Sequence, residues 1–128
     1  MEKVSAEEVV RKFIDAYNKF DVDAMLALLH SDIRFMDIQD SKVAAKLKGK
    51  TEFEVLARQS AQLFRERKQT IKLLEADAEK VVVEVSFTGV FDKDTTEGPL
   101  AGDEVVLSGR SEYLVRDGLI VSIMDETL

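Results

Sequence analysis

The stretch GRSEYLVRDGLIVSIMDE, Gly109 to Glu126, decides how the second half of the chain is read. Two β-rich apolar runs flank Asp117-Gly118. An Asp-Gly pair in that setting is a strong hairpin signal, because a type I′ turn needs positive φ at both central residues. Regular pairing outward from this turn sets Arg116 against Leu119, Leu114 against Val121, Glu112 against Ile123 and Arg110 against Asp125. Side chains alternate along a strand, so Arg110, Glu112, Leu114, Val121, Ile123 and Asp125 are expected on one face, apolar near the turn and charged away from it. Two alternatives follow: a solvated cross-strand ion pair at the end of a sheet, or an acid–base cluster on the floor of a pocket.

Upstream of the hairpin lie more strands. QTIKLLEA and KVVVEVSFTGVF flank a turn at DAE. In the longer run Val81, Val83, Val85, Phe87 and Phe91 share one face, and the other face is more polar. DKDTTEGPLAGD reads as a loop punctuated by Gly98, Pro99 and Gly102.

The first half is mostly helical. Ser5 to Glu8 reads as a capping box, and Val10, Phe13, Ile14 and Tyr17 follow at helical spacing as far as about Lys19. Asp21 or Asp23 can cap a short second helix, VDAMLALLH, with His30 near its C-terminus, where the dipole favours a cation. IRFMDIQ alternates as a strand, with Ile33, Phe35 and Asp37 on one face. DSKVAAKLKGK reads as a polar connection with room for a turn or short strand. Thr51 to Glu54 forms a second capping box, opening a helix that carries Phe53, Leu56, Ala57, Ser60, Leu63 and Phe64 on one stripe. This helix is expected to end near Arg67, with RERK (Arg65–Lys68) as its solvated end. The order is α-α-β-α-β-β-β-β in one domain spanning residues 1–128. The fold class is α+β, with helices on one side of a curved, mostly antiparallel sheet.

Composition narrows the function. The chain has 128 residues, 45% apolar and 34% charged, with a formal net charge of -7. An acidic surface without a Lys/Arg run makes nucleic acid and anionic membrane poor partners. With no cysteine there is no disulfide, thiolate nucleophile or Cys-ligated metal. With His30 as the only histidine, a His-rich metal site is impossible. No apolar run approaches the roughly 20 residues of a membrane span, and the N-terminus shows no apolar signal core, so a cytoplasmic protein is expected.

The stretches VVRKFIDAYNKFDVDAMLALLHSDIRFMD, GKTEFEVL and VRDGLIVSIMD together resemble the nuclear transport factor 2-like superfamily, in particular its SnoaL-like branch. The resemblance covers nearly the whole chain. It implies a cone: a bent sheet wrapped around three helices, with an apolar pocket inside and, in many members, a homodimer. It is specific for fold and not for activity, since members include ketosteroid isomerase, polyketide cyclases, limonene epoxide hydrolase, dehydratases and non-catalytic adaptors. Compared with the isomerase, Asp37 matches the general-base position. Phe13 stands where the oxyanion tyrosine would be, and Arg110 falls near the second oxyanion donor, so a base is present and the hydrogen-bonding pair is absent. Compared with the epoxide hydrolase, Arg110, Glu112 and Asp125 imitate its Asp–Arg–Asp arrangement.

The resulting expectation is a small-molecule pocket that uses side-chain acid–base chemistry, with no cofactor and no metal, on a small apolar carbonyl-type or cyclic ligand. Asp37 is the candidate base, Arg110 the electrostatic stabiliser, and Asp125 or Glu112 its partner or the acid. Asp37 has an alternative role capping the DIQDSK turn. Phe13, Tyr17, Phe35, Phe53, Phe64 and Ile123 are the candidate ligand contacts, with Tyr17 a core residue whose hydroxyl reaches the rim. Tyr113, Val115, Ile120 and Met124 fall on the face opposite Arg110 and suit a sheet-to-sheet contact in a homodimer. The competing class is a non-catalytic binding or dimerisation domain. An enzyme should have a cavity that reaches Asp37 and Arg110 together; a scaffold should have that space filled by Phe13, Phe35, Phe53 and Phe64.

Overall fold

A computed structural model describes residues 5–128; Met1–Val4, part of the stretch read for a signal core, lie outside the described residues. Three helices pack on one side of a six-stranded sheet. The elements are α1 (Ala6–Asn18), α2 (Val22–Ala27), β1 (Leu29–Gln39), β2 (Lys42–Lys48), α3 (Lys50–Leu63), β3 (Phe64–Asp77), β4 (Lys80–Phe91), β5 (Glu104–Arg116) and β6 (Leu119–Thr127). The strand order is β2-β1-β6-β5-β4-β3. All neighbours are antiparallel except β1 and β6, which run parallel. The expected α+β class holds, and the polar connection after β1 is a strand, β2, at the sheet edge.

Local chemistry sets the helix ends. The Ser5 side chain accepts the Glu8 N–H at 3.1 Å and opens α1. Asp21 caps α2 by accepting the Ala24 N–H at 3.0 Å, after a break at Phe20, whose φ of 60° no helix can continue. The helix α3 is capped differently from expectation. Gly49, at φ 92°, is its N-cap with no side-chain bond, so Thr51 lies within the first turn rather than capping it.

The core is one cluster. Val9, Val10, Phe13 and Ile14 of α1 meet Val81, Val83 and Val85 of β4, Tyr113 and Val115 of β5, and Ile120 and Ile123 of β6. Several of these are fully buried. This corrects one expectation. Tyr113, Val115 and Ile120 face the helices, on the same side as the β4 valines, and are not part of an outer sheet face.

Three further expectations change. His30 lies in β1, not at a helix C-terminus, and its Nδ1 accepts the Asp32 N–H at 3.0 Å. The helix α3 stops at Leu63, so RERK belongs to β3, where Arg67 is only 5% exposed. The third is the hairpin register. Arg116 does pair with Leu119 and Val115 with Ile120, but the register then slips by one residue, leaving Val121 as the extra residue of a bulge. Beyond it Tyr113 pairs with Ile123, Ser111 with Asp125 and Arg110 with Glu126. A one-residue slip moves every later side chain of one strand to the opposite face relative to its partner. Asp125 therefore points to the core side together with Ser111 and Tyr113, while Arg110 and Glu112 point away.

Candidate functional site

The helices and the inner sheet face leave a cavity of about 240 Å³. Its apolar wall comes from Phe13 and Tyr17 of α1, Met25 of α2, Phe35 of β1, Phe53, Leu56 and Ala57 of α3, and Ile123 of β6. Aromatic rings define that wall: Phe53 meets Phe35 edge-on at 5.6 Å and lies 6.3 Å from Phe13, which meets Tyr113 edge-on at 6.0 Å. The polar groups on the lining are Asp37, Ser60, Arg67, Gln69, Tyr113 and Asp125. A second lobe of similar volume shares Tyr17, Asp37, Gln69 and Asp125 with the first and adds Phe64, Phe87 and Ser111. The four shared residues thus stand where the two lobes meet.

Asp37 and Asp125 are direct register partners on the parallel strands β1 and β6. Two carboxylates side by side repel each other, and their surroundings separate their roles. Asp37 accepts a hydrogen bond from Gln39 Nε2 at 3.0 Å, at the exposed end of its strand. Asp125 accepts one from Ser111 Oγ at 2.6 Å. Burial pushes the Asp125 carboxyl up to about 6; the Ser111 hydroxyl opposes the shift and the neighbouring Asp37 adds to it. Asp125 lines both lobes. The pair therefore sets a buried carboxyl that holds its proton to a higher pH than an ordinary aspartate beside a second carboxyl at the exposed end of its strand, a difference of surroundings typical of acid–base sites.

Arg67 holds a different wall. Its Nε donates to the Tyr17 carbonyl at 3.0 Å and its Nη1 to Ser60 Oγ at 3.3 Å. The guanidinium lies over the Tyr17 ring at 3.8 Å and the Phe20 ring at 4.5 Å, close enough for cation–π attraction. Gln69, two residues on, is tied to α1 by a reciprocal pair: its N–H donates to Asn18 Oδ1 at 2.8 Å and its carbonyl accepts from Asn18 Nδ2 at 3.0 Å. Burial lowers the Arg67 pKa, with Tyr17 opposing. Burial raises the Tyr17 phenol, Arg67 pulls it back, and Asp125 adds to the rise. Tyr17 thus senses both the cation and the acid pair. Burial also pushes the Tyr113 phenol well above its usual range.

The structure brings together Asp37, Asp125, Phe13, Tyr17, Phe35, Phe53 and Ile123 from the sequence-derived set, with Phe64 in the second lobe. It does not bring Arg110 or Glu112. Arg110 Nη2 lies 3.4 Å from Glu112 Oε1, and Lys80 Nζ lies 3.8 Å from the same oxygen, on the outer sheet face. Their separation from the cavity follows directly from the Val121 bulge. Sequence reasoning missed Arg67, Gln69 and Ser111. A signal for the first two existed: strand alternation carried upstream from Ile71 puts Gln69 and Arg67 on its face. The four aromatics do not fill the cavity, which reaches Asp37 together with Asp125 rather than Arg110. Among the described residues no group of three or more His, Asp or Glu is placed to hold a metal ion, and no helix is long and apolar enough to cross a membrane.

The model of the SnoaL-like domain family matches residues 10–123. The chain belongs to the SnoaL-like domain family. Among solved structures, this SnoaL-like protein superimposes on a Xanthomonas campestris protein described as a candidate polyketide cyclase, at 28% identity and a TM-score of 0.81, with 94% of this chain and 88% of that one covered. A Pseudomonas putida candidate polyketide cyclase matches at 23% identity and TM-score 0.77, covering 95% and 90%. A Mycobacterium tuberculosis epoxide hydrolase of the limonene-epoxide-hydrolase-like type matches at 21% identity and TM-score 0.78, covering 100% and 86%. The last two share the nuclear transport factor 2-like fold of this SnoaL-like domain. No curated protein matches its sequence at a significant level.

Proposed function

We propose that the cavity is a proton-transfer site for a small, mostly apolar carbonyl or cyclic compound, worked by side chains without a cofactor, with Asp37 as base and Asp125 as acid. The observation that carries this is the pairing of Asp37 with Asp125 on adjacent strands at the meeting point of the two lobes. Asp37 removes a proton from carbon next to a carbonyl, and the bonding pair moves onto the carbonyl oxygen. Asp125, its Oδ1 already engaged by Ser111, presents a proton on Oδ2 to that oxygen or returns one to another carbon. Burial and the like-charged neighbour keep Asp125 protonated further up the pH scale than an ordinary aspartate, which suits it to the acid's step. At 240 Å³ the inner lobe lies below the roughly 300–1,000 Å³ of drug-sized pockets, which favours a ligand of one or two rings. The description of the Xanthomonas relative as a candidate polyketide cyclase points to carbonyl chemistry of the same kind.

The test is exchange of α-hydrogens for solvent deuterium in small cyclic ketones, followed by NMR. The wild type should accelerate exchange over buffer, and Asp37→Asn should lose at least about a hundredfold of that acceleration, the usual scale for a positioned base. Equal exchange by wild type and a folded Asp37→Asn would remove the catalytic role and leave a non-catalytic binding domain.

A further inference from the structure

Arg67 is a buried cation whose bonding is incomplete. The residue is 5% exposed. Its Nε and Nη1 have partners, yet Nη2 is buried with none. No carboxylate compensates it: among the described residues, none of the salt bridges includes Arg67. A guanidinium offers five donors in a rigid fork and keeps its charge when buried. A buried donor on a charged group is costly to leave unmade, so natural structures supply an acceptor. Nε and Nη1 use the Tyr17 carbonyl and Ser60 Oγ; the Tyr17 hydroxyl also acts on the guanidinium, yet it makes no hydrogen bond to Nη2. The residue lines the inner lobe, beside Tyr17 and Ser60 and among the aromatic side chains.

We propose that Arg67 is the anchor of an oxyanion subsite, and that the ligand of this cavity is a small ring bearing a delocalised oxyanion, the enolate of a 1,3-dicarbonyl or a carboxylate, seated on Nη2. This rests on the reading of the cavity as a ligand site, but it does not require turnover. Placement explains the division of labour. Arg67 stands on β3, at one edge of the sheet, whereas β1 and β6 are the second and third strands from the other edge, which is β2. Asp37 and Asp125 therefore occupy a different wall, with Tyr17 touched by the influence of both. An oxyanion held at Arg67 is kept away from the Asp37 carboxylate, which would repel it, while the rest of the ring extends over Phe13 and Phe53 toward the acid pair. The guanidinium is preorganised by its contacts to Tyr17, Phe20 and Ser60, so little ordering remains to be done on binding. It follows that the ligand carries at least two functional ends: an oxyanion for Arg67 and an acidic C–H or second carbonyl for Asp37.

The experiment is calorimetric titration of the whole chain with two anionic probes, cyclohexane-1,3-dione (ionised at neutral pH) and benzoate, each beside a neutral ring of the same size, cyclohexanone and benzyl alcohol. The wild type should bind at least one anion tenfold or more tightly than its neutral counterpart, and which anion is preferred distinguishes enolate from carboxylate. Arg67→Met should erase that preference, Arg67→Lys should keep part of it, and Arg110→Ala, on the outer sheet face, should leave it intact. A wild type that binds anion and neutral ring equally, or binds neither, overturns the proposal, as does a folded Arg67→Met that keeps the preference. If Arg67→Met does not fold, the side-chain Nε–H resonance of Arg67 in the wild type decides. It should move on saturation with the anions and not with the neutral rings; an unmoved resonance overturns the proposal. Loss of exchange activity in Asp37→Asn, together with the anion preference of the wild type, supports both assignments. Retained exchange in that variant, with the same wild-type preference, removes only the proton-transfer role.

Discussion

The two faces of the β5–β6 hairpin share one backbone and carry carboxylates at nearly the same height. On the outer face Glu112 sits between Arg110 and Lys80, 25% exposed at its side chain and flanked by cations at 3.4 and 3.8 Å. On the inner face Asp125, one bulge away, forms no salt bridge among the described residues and has the Ser111 hydroxyl at 2.6 Å and a second carboxylate, Asp37, on the next strand. The difference lies in geometry rather than composition. A single extra residue, Val121, turns a hairpin that would have paired Arg110 with Asp125 into one that leaves the acid without its neutralising partner. A carboxylate compensated by Arg110 would be an ion pair; the uncompensated one can hold a proton.

Removing the bulge is the strongest way to break this comparison. Inserting one alanine in β5 between Leu114 and Val115, opposite Val121, makes the pairing one-to-one and drives Tyr113, Ser111, Ile123 and Asp125 outward and Arg110 and Glu112 inward. The expected result is loss of cooperative folding, read as loss of the thermal transition by circular dichroism; an unchanged transition would mean that the strand register is loose.

Asp125→Asn sharpens the comparison in the other direction. Burial raises the Asp125 carboxyl from 3.8 to about 6 in the folded chain. Below that window both folded and unfolded chains hold the proton and the group makes no difference. Between about pH 4 and 6 the folded chain keeps a proton the unfolded chain has lost, so stability falls as pH rises. Above it the penalty is complete. Asparagine can still accept from Ser111 but carries no charge. The variant should therefore be more stable than wild type at pH 7 by on the order of 2–3 kcal/mol, and equal to it near pH 3.5, as measured by urea unfolding across pH.

The smallest effects belong outside. Arg110→Ala and Glu112→Gln should each change stability by no more than about 1 kcal/mol, the usual range of an exposed pair, and should leave α-hydrogen exchange within a factor of about two. A large loss of exchange in either variant would return these residues to the site.

How much of this was legible before the structure follows from the same features. The Asp117-Gly118 turn, the Ser5 and Asp21 caps and the period of α1 are local signals, and each holds. So does the inward face of Asp37, because alternation over the short IRFMDIQ run meets no interruption. The Val121 bulge carries no glycine or proline to mark it, so alternation counted through it assigned Arg110 and Glu112 to the wrong face and hid Tyr113 and Ser111. Arg67 was concealed by composition. Four charged or polar residues at the end of a helix look solvated, and only the abrupt passage from Leu63 in α3 to Phe64 in β3, without a loop, turns one of them inward. The partner strand allows it: Gly89 on β4 leaves room for the Phe64 ring, since a Cβ there would lie 2.9 Å from Phe64 Cδ1.

The central claim is that Asp37 and Asp125 form one coupled carboxyl pair facing a cavity. Titration of the aspartate side-chain carboxyl carbons by NMR, in wild type and in Asp37→Asn, tests it most directly. The Asp125 resonance should titrate near 6 in the wild type and at a lower pH once the Asp37 charge is removed. A midpoint in the range of ordinary aspartates, or one that ignores the Asp37 substitution, would contradict the account.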